Sequence, residues 1–358
     1  MKKFFAEVLE IKNGRNQKAV ENPDGLYPIY GSGGIMGRAD DYICNAGTVI
    51  VGRKGTINNP IFVNEPFWNV DTAFGLEANK DVLYPKYLFY FCKNFDFESL
   101  NTTVTIPSLT KNNLLKIQMP IVSLSEQQKI AAELDTIQSA IDNKKQQLSL
   151  LDEAVKSEFV EMFGDPVLNE KGWKLKTLPE LGEFGRGISK HRPRNAPELL
   201  GGKYPLIQTG DIANANLYIT EYKSTYSEEG YKQSKMWKAG TLCITIAATI
   251  AKTAILTFDS CFPDSVVGFT PNENTNSLFI NYWFTFFQKI LEDQAPGVAQ
   301  KNINLQFLSN LKIFTPPIEL QNTFATFVQQ IDKSKFVVKQ QIADLQELLD
   351  SKMQEYFS

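Results

Sequence analysis

Gly47-Thr48-Val49-Ile50-Val51, a glycine followed by a strand-like run, returns as Gly240-Thr241-Leu242-Cys243-Ile244, a shift of 193 residues. The same shift carries Asp71 onto Asp264 without a gap. A period this long is unlike that of a solenoid repeat, whose units run about 20–50 residues. A chain of 358 residues is long enough for two domains that each bury a core. We therefore predict a duplicated module with two similar working surfaces.

Segments 126–163 and 319–358 carry the clearest helical pattern, because their apolar residues recur at steps of three and four. Ser125, with Gln128 at the capping-box distance, predicts the start of the first helix, and Gly164 predicts its end. One lysine interrupts each stripe, Lys144 or Lys335, and it either fixes the register of a helix pair or reaches out to solvent. The apolar stripes comprise Ile130, Leu134, Ile137, Ile141, Leu148 and Leu151 in the first helix, and Val328, Ile331, Val338, Ile342, Leu345 and Leu349 in the second.

A helix of this length spans about 55 Å at roughly 1.5 Å per residue, more than a domain needs for its own core. We predict that the two helices pair as an antiparallel coiled coil and act as a spacer. The two domains would then be related by a pseudo-two-fold axis. The predicted segments are a first recognition domain at 1–125, a first spacer helix at 126–163, a second recognition domain at 164–318 and a second spacer helix at 319–358.

The domains themselves have the pattern of a mixed α/β fold in which strands dominate. Short β-branched runs at 48–51 and 241–245 predict strands, and 27–34 and 204–211 each predict a strand followed by a turn. The aromatic-rich runs 84–91 and 280–284 predict helices whose rings fill the cores.

No motif of a catalytic, metal or cofactor site is present. His191 is the single histidine, so duplicated histidine chemistry is excluded, and the four cysteines form no CxxC pair. We expect these cysteines to be buried free thiols of a cytoplasmic protein. Asp71 and Asp264 are interpreted as turn or cap residues. No apolar run approaches the roughly 20 residues of a membrane span, so no membrane partner is expected.

The net charge of −3 divides unevenly along the chain, because the two predicted domains carry +3 and the two predicted helices −6. Basic side chains gather in glycine-containing loops in both halves, where arginine and lysine suit phosphate or guanine and amides suit adenine. A single loop of this kind is as well explained by solvation, but its occurrence in both halves favours double-stranded DNA. The candidate DNA-binding residues are Lys12, Arg15, Lys18, Arg53, Lys54, Arg186, Lys190, Arg192, Arg194, Gln208 and Thr209.

The two halves also differ. Tyr27-Pro28 matches Tyr204-Pro205 at a shift of 177, whereas the glycine-strand motif matches at 193, so 16 extra residues lie roughly within 213–235. Because these insertions and the basic loops are unmatched, we expect the two domains to read different half-sites. Identical halves would instead predict a palindrome.

The order of these parts over essentially the full chain resembles the specificity subunit of Type I restriction-modification systems. The resemblance rests on Phe163-Gly164-Asp165-Pro166 leading to Gly172-Trp173, on Tyr27-Pro28-Ile29-Tyr30-Gly31, and on the run from Pro120 to Gln127-Gln128. It implies a non-catalytic DNA-recognition subunit, in which each domain reads half of a bipartite asymmetric target and the helices set the spacer. It also implies that two modification subunits, which use S-adenosylmethionine to methylate adenine, dock on the helices, and the apolar stripe residues named above are the predicted docking residues. Restriction subunits that use ATP and Mg²⁺ can join such complexes.

Two other functions are compatible with parts of the pattern. Duplication and an acidic helix pair would also suit a coiled-coil scaffold that does not bind DNA sequence-specifically. A fused restriction-methylation enzyme is opposed by the missing methyltransferase and nuclease motifs.

Overall fold

The computed structural model describes residues 1–101, 106–166, 168–247, 250–294 and 304–358. The chain forms two compact units. The first unit combines Met1–Gln147 with Val338–Ser358, and the second is the continuous stretch Leu148–Val337. Each unit mixes helices and strands, which confirms the predicted mixed α/β class. None of the helices in the described ranges is long and apolar enough to span a bilayer.

The first unit is built mainly of short strands. Its elements are β1 (Lys2–Phe4), α1 (Phe5–Val8), β2 (Leu9–Asn13), β3 (Tyr27–Gly31), β4 (Gly34–Ala39), β5 (Thr48–Gly52), β6 (Ile61–Val63), β7 (Trp68–Asn69), β8 (Ala73–Ala78), α2 (Pro85–Asn94), α3 (Lys111–Leu114), β9 (Gln118–Pro120) and the first part of α4 (Leu124–Phe163).

The central sheet of the first unit has the order β2-β8-β5-β6, beside a smaller sheet β4-β3-β7 and the pair β1-β9. Strand β5 is buried along its whole length, as expected for a run of β-branched residues inside a sheet that is covered on both faces. Gly47 precedes it with a φ of +85°, and Gly240 stands at the same point of the second unit with a φ of +88°. Glycine adopts this left-handed conformation without strain, which explains why the repeated motif opens on glycine.

The second unit contains β10 (Lys174–Lys176), α5 (Leu178–Leu181), β11 (Gly182–Arg186), β12 (Leu200–Leu206), α6 (Thr209–Asn214), β13 (Tyr218–Ile219), β14 (Ser224–Tyr226), α7 (Glu228–Lys232), β15 (Met236–Trp237), β16 (Leu242–Thr245), β17 (Thr253–Leu256), β18 (Ser260–Cys261), β19 (Val266–Pro271), α8 (Ser277–Gln294), α9 (Leu305–Asn310), β20 (Ile313–Thr315) and the first part of α10 (Ile318–Phe357).

The sheets of the second unit repeat those of the first with two added strands. One of them, β15, extends the sheet β14-β12-β18, which corresponds to β4-β3-β7. The order β11-β19-β16-β17 corresponds to β2-β8-β5-β6, and β10-β20 corresponds to β1-β9. A fifth strand, β13, extends the central sheet by pairing parallel to β17. Strand β13, with α7, lies in the 16-residue surplus inferred from the sequence.

The predicted aromatic helices are present as α2 and as part of α8, and their rings fill the two main cores as expected. The four cysteines are free and buried, which confirms that prediction. Burial raises the pKa of the Cys44 thiol to about 12.

The long helices contribute to both cores. In the first unit, Ile130, Leu134, Ile137 and Ile141 of α4 pack in the same core as Leu349, Met353 and Phe357 of α10. In the second unit, Val155, Phe159 and Phe163 of α4 share a core with Phe324 and Val328 of α10. Lys335 is the lysine that interrupts the second stripe, and its Nζ lies 2.5 Å from Asp152 Oδ1 of the facing helix. The predicted division into four segments stays a prediction, because the compact units cut across both helices.

The start of α4 differs from the sequence prediction. The helix begins at Leu124, and the side chain that caps it belongs to Ser123, whose Oγ accepts from the Glu126 N–H at 3.3 Å. The predicted cap, Ser125, is exposed within the first turn. The end agrees with prediction: α4 stops at Phe163, and Gly164 has a φ of +82°.

Candidate nucleic-acid interface

The central sheet of the first unit brings two of the predicted basic segments to one edge. Strands β2 and β5 both pair antiparallel with β8, so they run in the same direction. Their last residues, Asn13 and Gly52, face the adjacent positions Phe74 and Ala73 at the start of β8. Segments 14–18 and 53–56 therefore leave the sheet side by side, and with 71–72 they form what we call the first loop edge.

The first loop edge holds its backbone firmly and leaves its basic side chains exposed. The Arg15 N–H donates to the Asn69 carbonyl at 2.9 Å, and Trp68 Nε1 donates to the Arg15 carbonyl at 3.0 Å. The Arg53 N–H donates to the Thr72 carbonyl at 2.7 Å. The Arg15, Lys18, Arg53 and Lys54 side chains are exposed, and none forms an ion pair in the part of the chain that the structure describes. These four cations suit phosphate contacts.

Lys12 does not belong to this group. It lies inside β2, not in a loop as the sequence suggested, and its Nζ is 2.8 Å from Glu10 Oε2 and 4.0 Å from Glu77 Oε2. The hydrogen bond to Glu10, with Glu77 nearby, raises the pKa of Lys12 above its ordinary value. Because its charge is satisfied by two carboxylates, Lys12 is a poor phosphate ligand.

The second unit has the same edge. Strands β11 and β16 both pair antiparallel with β19, and Arg186 and Thr245 end them beside Val267 and Val266. The second loop edge therefore comprises 186–194, 246–247 with 250–252, and 262–265. Arg186 is the last residue of β11, so the predicted basic loop begins after it, at Gly187. Arg186, Lys190, Arg192 and Arg194 are all exposed.

Three of these arginines converge on Asp264. Arg192 Nη2 lies 3.2 Å from Asp264 Oδ2, and Arg194 Nη2 contacts Oδ1. Arg186 Nε donates to the Asp264 carbonyl oxygen at 2.9 Å. Asp264 lies in a turn, as predicted from the sequence, and its carboxylate is also the counter-charge of the basic loop. The second half contains both this aspartate and an arginine-rich segment, and that combination is the sequence signal that could have indicated the ion pairs.

The extra residues of the second unit brace its basic loop. Gln233 Oε1 accepts from the Lys190 N–H at 2.5 Å and from the His191 N–H at 3.0 Å. Ser234 Oγ donates to the Ile188 carbonyl at 2.9 Å. Both supporting residues fall within the surplus at 213–235, so the insertion and the loop that distinguish this unit form one structure.

Gln208 and Thr209 lie at the start of a helix, not in a turn as predicted. Gln208 precedes α6, its N–H donates to Asp211 Oδ2 at 2.8 Å, and Thr209 is the first residue of the helix. Gln208 and Thr209 follow β12, and β12 pairs parallel with β18. The chain leaves both strands in the same direction, and the residues after β18 belong to the second loop edge. Gln208 is exposed and Thr209 is half-buried.

Nine of the twelve apolar stripe residues predicted to dock partners pack in or against the protein's own cores. Ile130, Leu134, Ile137, Ile141, Val328, Val338 and Leu349 are buried, and Leu148, Leu151, Ile331, Ile342 and Leu345 are half-buried. The seven buried side chains are not accessible to another subunit, whereas docking through the five half-buried ones stays a prediction. Exposed apolar side chains on the same helices include Leu150, Val160, Phe336, Val337 and Leu348.

A pair of buried glutamines was missed in the sequence. Gln127 Oε1 accepts from the Tyr84 N–H at 2.8 Å, and its Nε2 donates to the Val82 and Val122 carbonyls, both at 2.9 Å. Gln321 repeats the pattern with the Asn276 N–H at 2.9 Å and the Asn274 and Pro316 carbonyls at 3.3 and 2.9 Å. Each glutamine ties the start of a long helix to the loop before an aromatic helix. The matching positions in the repeat are the signal that could have found them.

Comparison with known proteins agrees with this architecture. The family model described as Type I restriction modification DNA specificity domain matches residues 1–153 and 170–347. The type I restriction enzyme MjaIX specificity subunit of Methanocaldococcus jannaschii is 23% identical over 84% of this chain and 73% of its own length. The EcoBI specificity subunit of Escherichia coli is 23% identical over 79% of this chain and 66% of its own length. Across three such relatives, the chain spans between 63% and 73% of the relative's length.

The fold is shared with a solved structure as well. The crystal structure of a Type I restriction-modification S subunit from M. genitalium superposes with a TM-score of 0.62 at 16% identity, covering 100% of this chain and 96% of that one. Together with the duplicated domains and the two long helices, the match to the family model over both halves has one conclusion: this chain belongs to the Type I restriction-modification DNA specificity family.

Proposed function

We propose that this chain is the non-catalytic specificity subunit of a Type I restriction-modification complex in the cytoplasm. Each unit reads one half of a bipartite, asymmetric target in double-stranded DNA. The observation that carries the proposal is the repeated loop edge: equivalent strands deliver basic side chains to the same edge of each central sheet. The family membership supports the same role.

The two loop edges support different base preferences. The first presents Arg15, Lys18, Arg53 and Lys54 without carboxylate partners among the described residues, whereas the arginines of the second are organised around Asp264. The insertion braces only the second edge. Two surfaces with such different charge arrangements favour two different half-sites over a palindrome.

The long helices act as the spacer between the half-sites, paired as an antiparallel coiled coil. Support comes from contacts inside each unit: Glu133 of α4 meets Lys352 and Tyr356 of α10, and Asp152 of α4 meets Lys335 of α10. From the first of these contacts to the second, the residue number increases along α4 and decreases along α10, as expected for antiparallel helices. A distance between labelled helix ends that varied freely in solution would contradict a rigid spacer.

The chemistry of modification and restriction lies in partner subunits. We expect two modification subunits to dock and to methylate adenine with S-adenosylmethionine, and restriction subunits to bring ATP and Mg²⁺. The exposed apolar residues of the helices are the better candidates for docking than the buried stripe. Adenine methylation that requires both this chain and a modification subunit is the expected result of a reconstituted assay.

Selection from random duplex DNA with the full chain tests DNA recognition directly. Enrichment of a split, non-palindromic sequence is expected, with binding that weakens as salt rises. Replacing Arg15 and Arg53 with glutamine should weaken recognition of one half only, and Lys129→Gln, on an exposed face of α4, is the matched control. A palindromic target would contradict the asymmetry. Absence of any enriched sequence would contradict DNA recognition and leave a scaffold role.

A further inference from the structure

Asp264 contacts all three arginines of the second loop edge, each at a different oxygen. Its Oδ2 faces Arg192, its Oδ1 faces Arg194, and its backbone carbonyl accepts from Arg186 Nε. One aspartate therefore fixes three guanidinium groups relative to the end of the sheet.

The arginines divide into one that is used internally and two that remain available. Arg192 donates from Nη1 to the Ser189 carbonyl at 2.5 Å and to the His191 carbonyl at 2.8 Å, in addition to its ion pair. Arg192 therefore stabilises the conformation of the loop. Arg186 uses only its Nε, and Arg194 only one terminal nitrogen, in bonds to described residues. Both side chains are exposed, so their remaining N–H groups are available to a ligand.

The first unit lacks this arrangement at the matching position. Asp71 precedes β8 as Asp264 precedes β19, but its carboxylate forms no ion pair within the described residues. Arg53 reaches only the Asp71 carbonyl oxygen, from Nη1 at 3.5 Å. The first unit therefore serves as an internal comparison, because Asp71 occupies the position of Asp264 but lacks the arginine cluster.

We propose that Asp264 is a positioning residue that sets the DNA specificity of the second unit. By engaging Arg186 and Arg194 it presents their free N–H groups to guanine in the second half-site, where arginine reads O6 and N7 with two hydrogen bonds. Its negative charge also offsets part of the positive charge of the edge. That offset weakens binding to arbitrary phosphates more than binding to a correctly placed guanine. This inference rests on the proposed function.

Loss of the Asp264 carboxylate should have opposite effects on non-specific and on sequence-specific DNA binding. Without the carboxylate, Arg192 and Arg194 gain freedom to contact phosphates, so non-specific affinity rises and salt dependence steepens. Orientation toward the base edges is lost at the same time, so discrimination falls. A residue that only stabilised the fold would weaken all DNA binding in parallel.

The test compares Asp264→Asn with Asp71→Asn in the full chain, by selection from random duplexes and by salt titration. Asp264→Asn should lower preference for guanine in the second half-site about 10–100-fold, leave the first half-site unchanged, and steepen the logarithmic salt slope by about 1–2. Asp71→Asn should change neither quantity. Arg194→Lys keeps the charge but removes the planar guanidinium group that can donate two parallel hydrogen bonds. It should therefore lower guanine preference and leave the salt slope unchanged.

Several outcomes would overturn the inference. They are an unchanged salt slope and base preference in Asp264→Asn, a uniform loss of affinity for all sequences together with a lower melting temperature, or a second half-site without guanine. If Asp264→Asn does not fold, the Arg194→Lys result decides alone: retained guanine preference overturns the inference. Failure of the proposed function is distinguishable, because the unaltered chain would then enrich no sequence.

Discussion

Each loop edge depends on one glycine that passes close to a neighbouring backbone. A Cβ built on Gly14 would lie 1.8 Å from the Val70 carbonyl oxygen, and one on Gly187 would lie 2.2 Å from the Phe262 carbonyl oxygen. Both glycines follow directly the strand that leads into a basic segment. Because backbone atoms cannot move aside as a side chain can, only glycine lets these loops leave the sheet as they do.

Alanine at either glycine should displace the loop edge of that unit. We expect Gly14→Ala and Gly187→Ala each to reduce the free energy of unfolding by about 1–3 kcal/mol through the clash, and to weaken recognition of one half-site. Gly33→Ala and Gly210→Ala are matched controls, because their Cβ would meet nothing within 4 Å. Denaturant unfolding and DNA selection provide the two measurements. Stability equal to that of the controls would contradict the close approach.

Residue type alone could not separate the useful cations from the satisfied ones. Lys12 and Arg15 belong to one basic run, but Lys12 contacts Glu10 on its own strand and Glu77 on β8, while Arg15 is exposed beyond the end of the strand. Glu10 stands two residues earlier in the sequence, whereas the approach of Glu77 depends on pairing register, which is not visible in the local sequence. The ion pairs of Asp264 could not be predicted either, since its arginines lie 70 to 78 residues away in sequence.

Among the secondary-structure elements, the starts of the long helices are joined to the loops before the aromatic helices by the buried glutamines Gln127 and Gln321. Apolar periodicity predicted the helices because burial of a helical face repeats every three to four residues. It could not predict the glutamine contacts, which satisfy backbone groups of distant loops. The same limitation explains the misplaced cap, since Ser123 and Ser125 are chemically equivalent and only the path of the chain selects between them.

Removal of either glutamine amide should loosen a helix from its domain. Gln127→Leu leaves the Tyr84 N–H and two carbonyls without their partner, so we expect a loss of about 1–3 kcal/mol in the free energy of unfolding. Gln128→Ala, on the exposed side of the same turn, should be nearly neutral. Chemical denaturation measures both variants. Equal stability of the two variants would argue against a structural role for the Gln127 bonds.

Contacts between the long helices also predict a pH effect. The Tyr356 hydroxyl donates to Glu133 Oε2 at 2.7 Å, and this bond, with help from Lys352, lowers the pKa of Glu133. A carboxyl whose folded pKa is lowered contributes stability above its unfolded pKa, near 4.5, and loses it as the pH falls through the folded value. Because the group is largely exposed, the contribution is about 0.5 kcal/mol.

Glu133→Gln should therefore flatten the stability profile between pH 6 and pH 3. Unfolding free energies measured across this range should converge at the acid end, where the native carboxyl is protonated as well. Glu153→Gln, which removes an exposed carboxylate of α4, is the control and should leave the profile unchanged. A profile of Glu133→Gln parallel to that of the unaltered chain would show that the bond does not form in solution.

At the scale of the whole molecule, the first unit is assembled from two distant parts of the chain. Phe357 lies in the core of this unit, with its ring 5.0 Å from that of Tyr87 and 5.8 Å from that of Phe91. The repeat predicted two domains and two helices because duplication leaves matched motifs in the sequence. It did not predict this exchange of helix segments, since the apolar stripe of a helix does not identify the core that covers it.

Phe357→Ala should therefore destabilise the first unit selectively. Loss of a buried phenyl ring reduces the free energy of unfolding by about 3–5 kcal/mol. Hydrogen exchange should show reduced protection in α2 and unchanged protection in β16 and β19 of the second unit. Phe336→Ala, on the same helix and 72% exposed, is the matched control and should have little effect. Equal loss of protection in both units would contradict selective destabilisation.

The divided first unit also affects the order in which the protein matures during synthesis. The continuous second unit is complete once Val337 has left the ribosome, whereas the first unit, although begun earlier, still lacks Val338–Ser358. Its partial core keeps aromatic rings uncovered until the last turns of α10 arrive. We therefore expect a chain cut short before Val338 to keep an uncovered apolar surface in its first unit, where chaperones and proteases can bind.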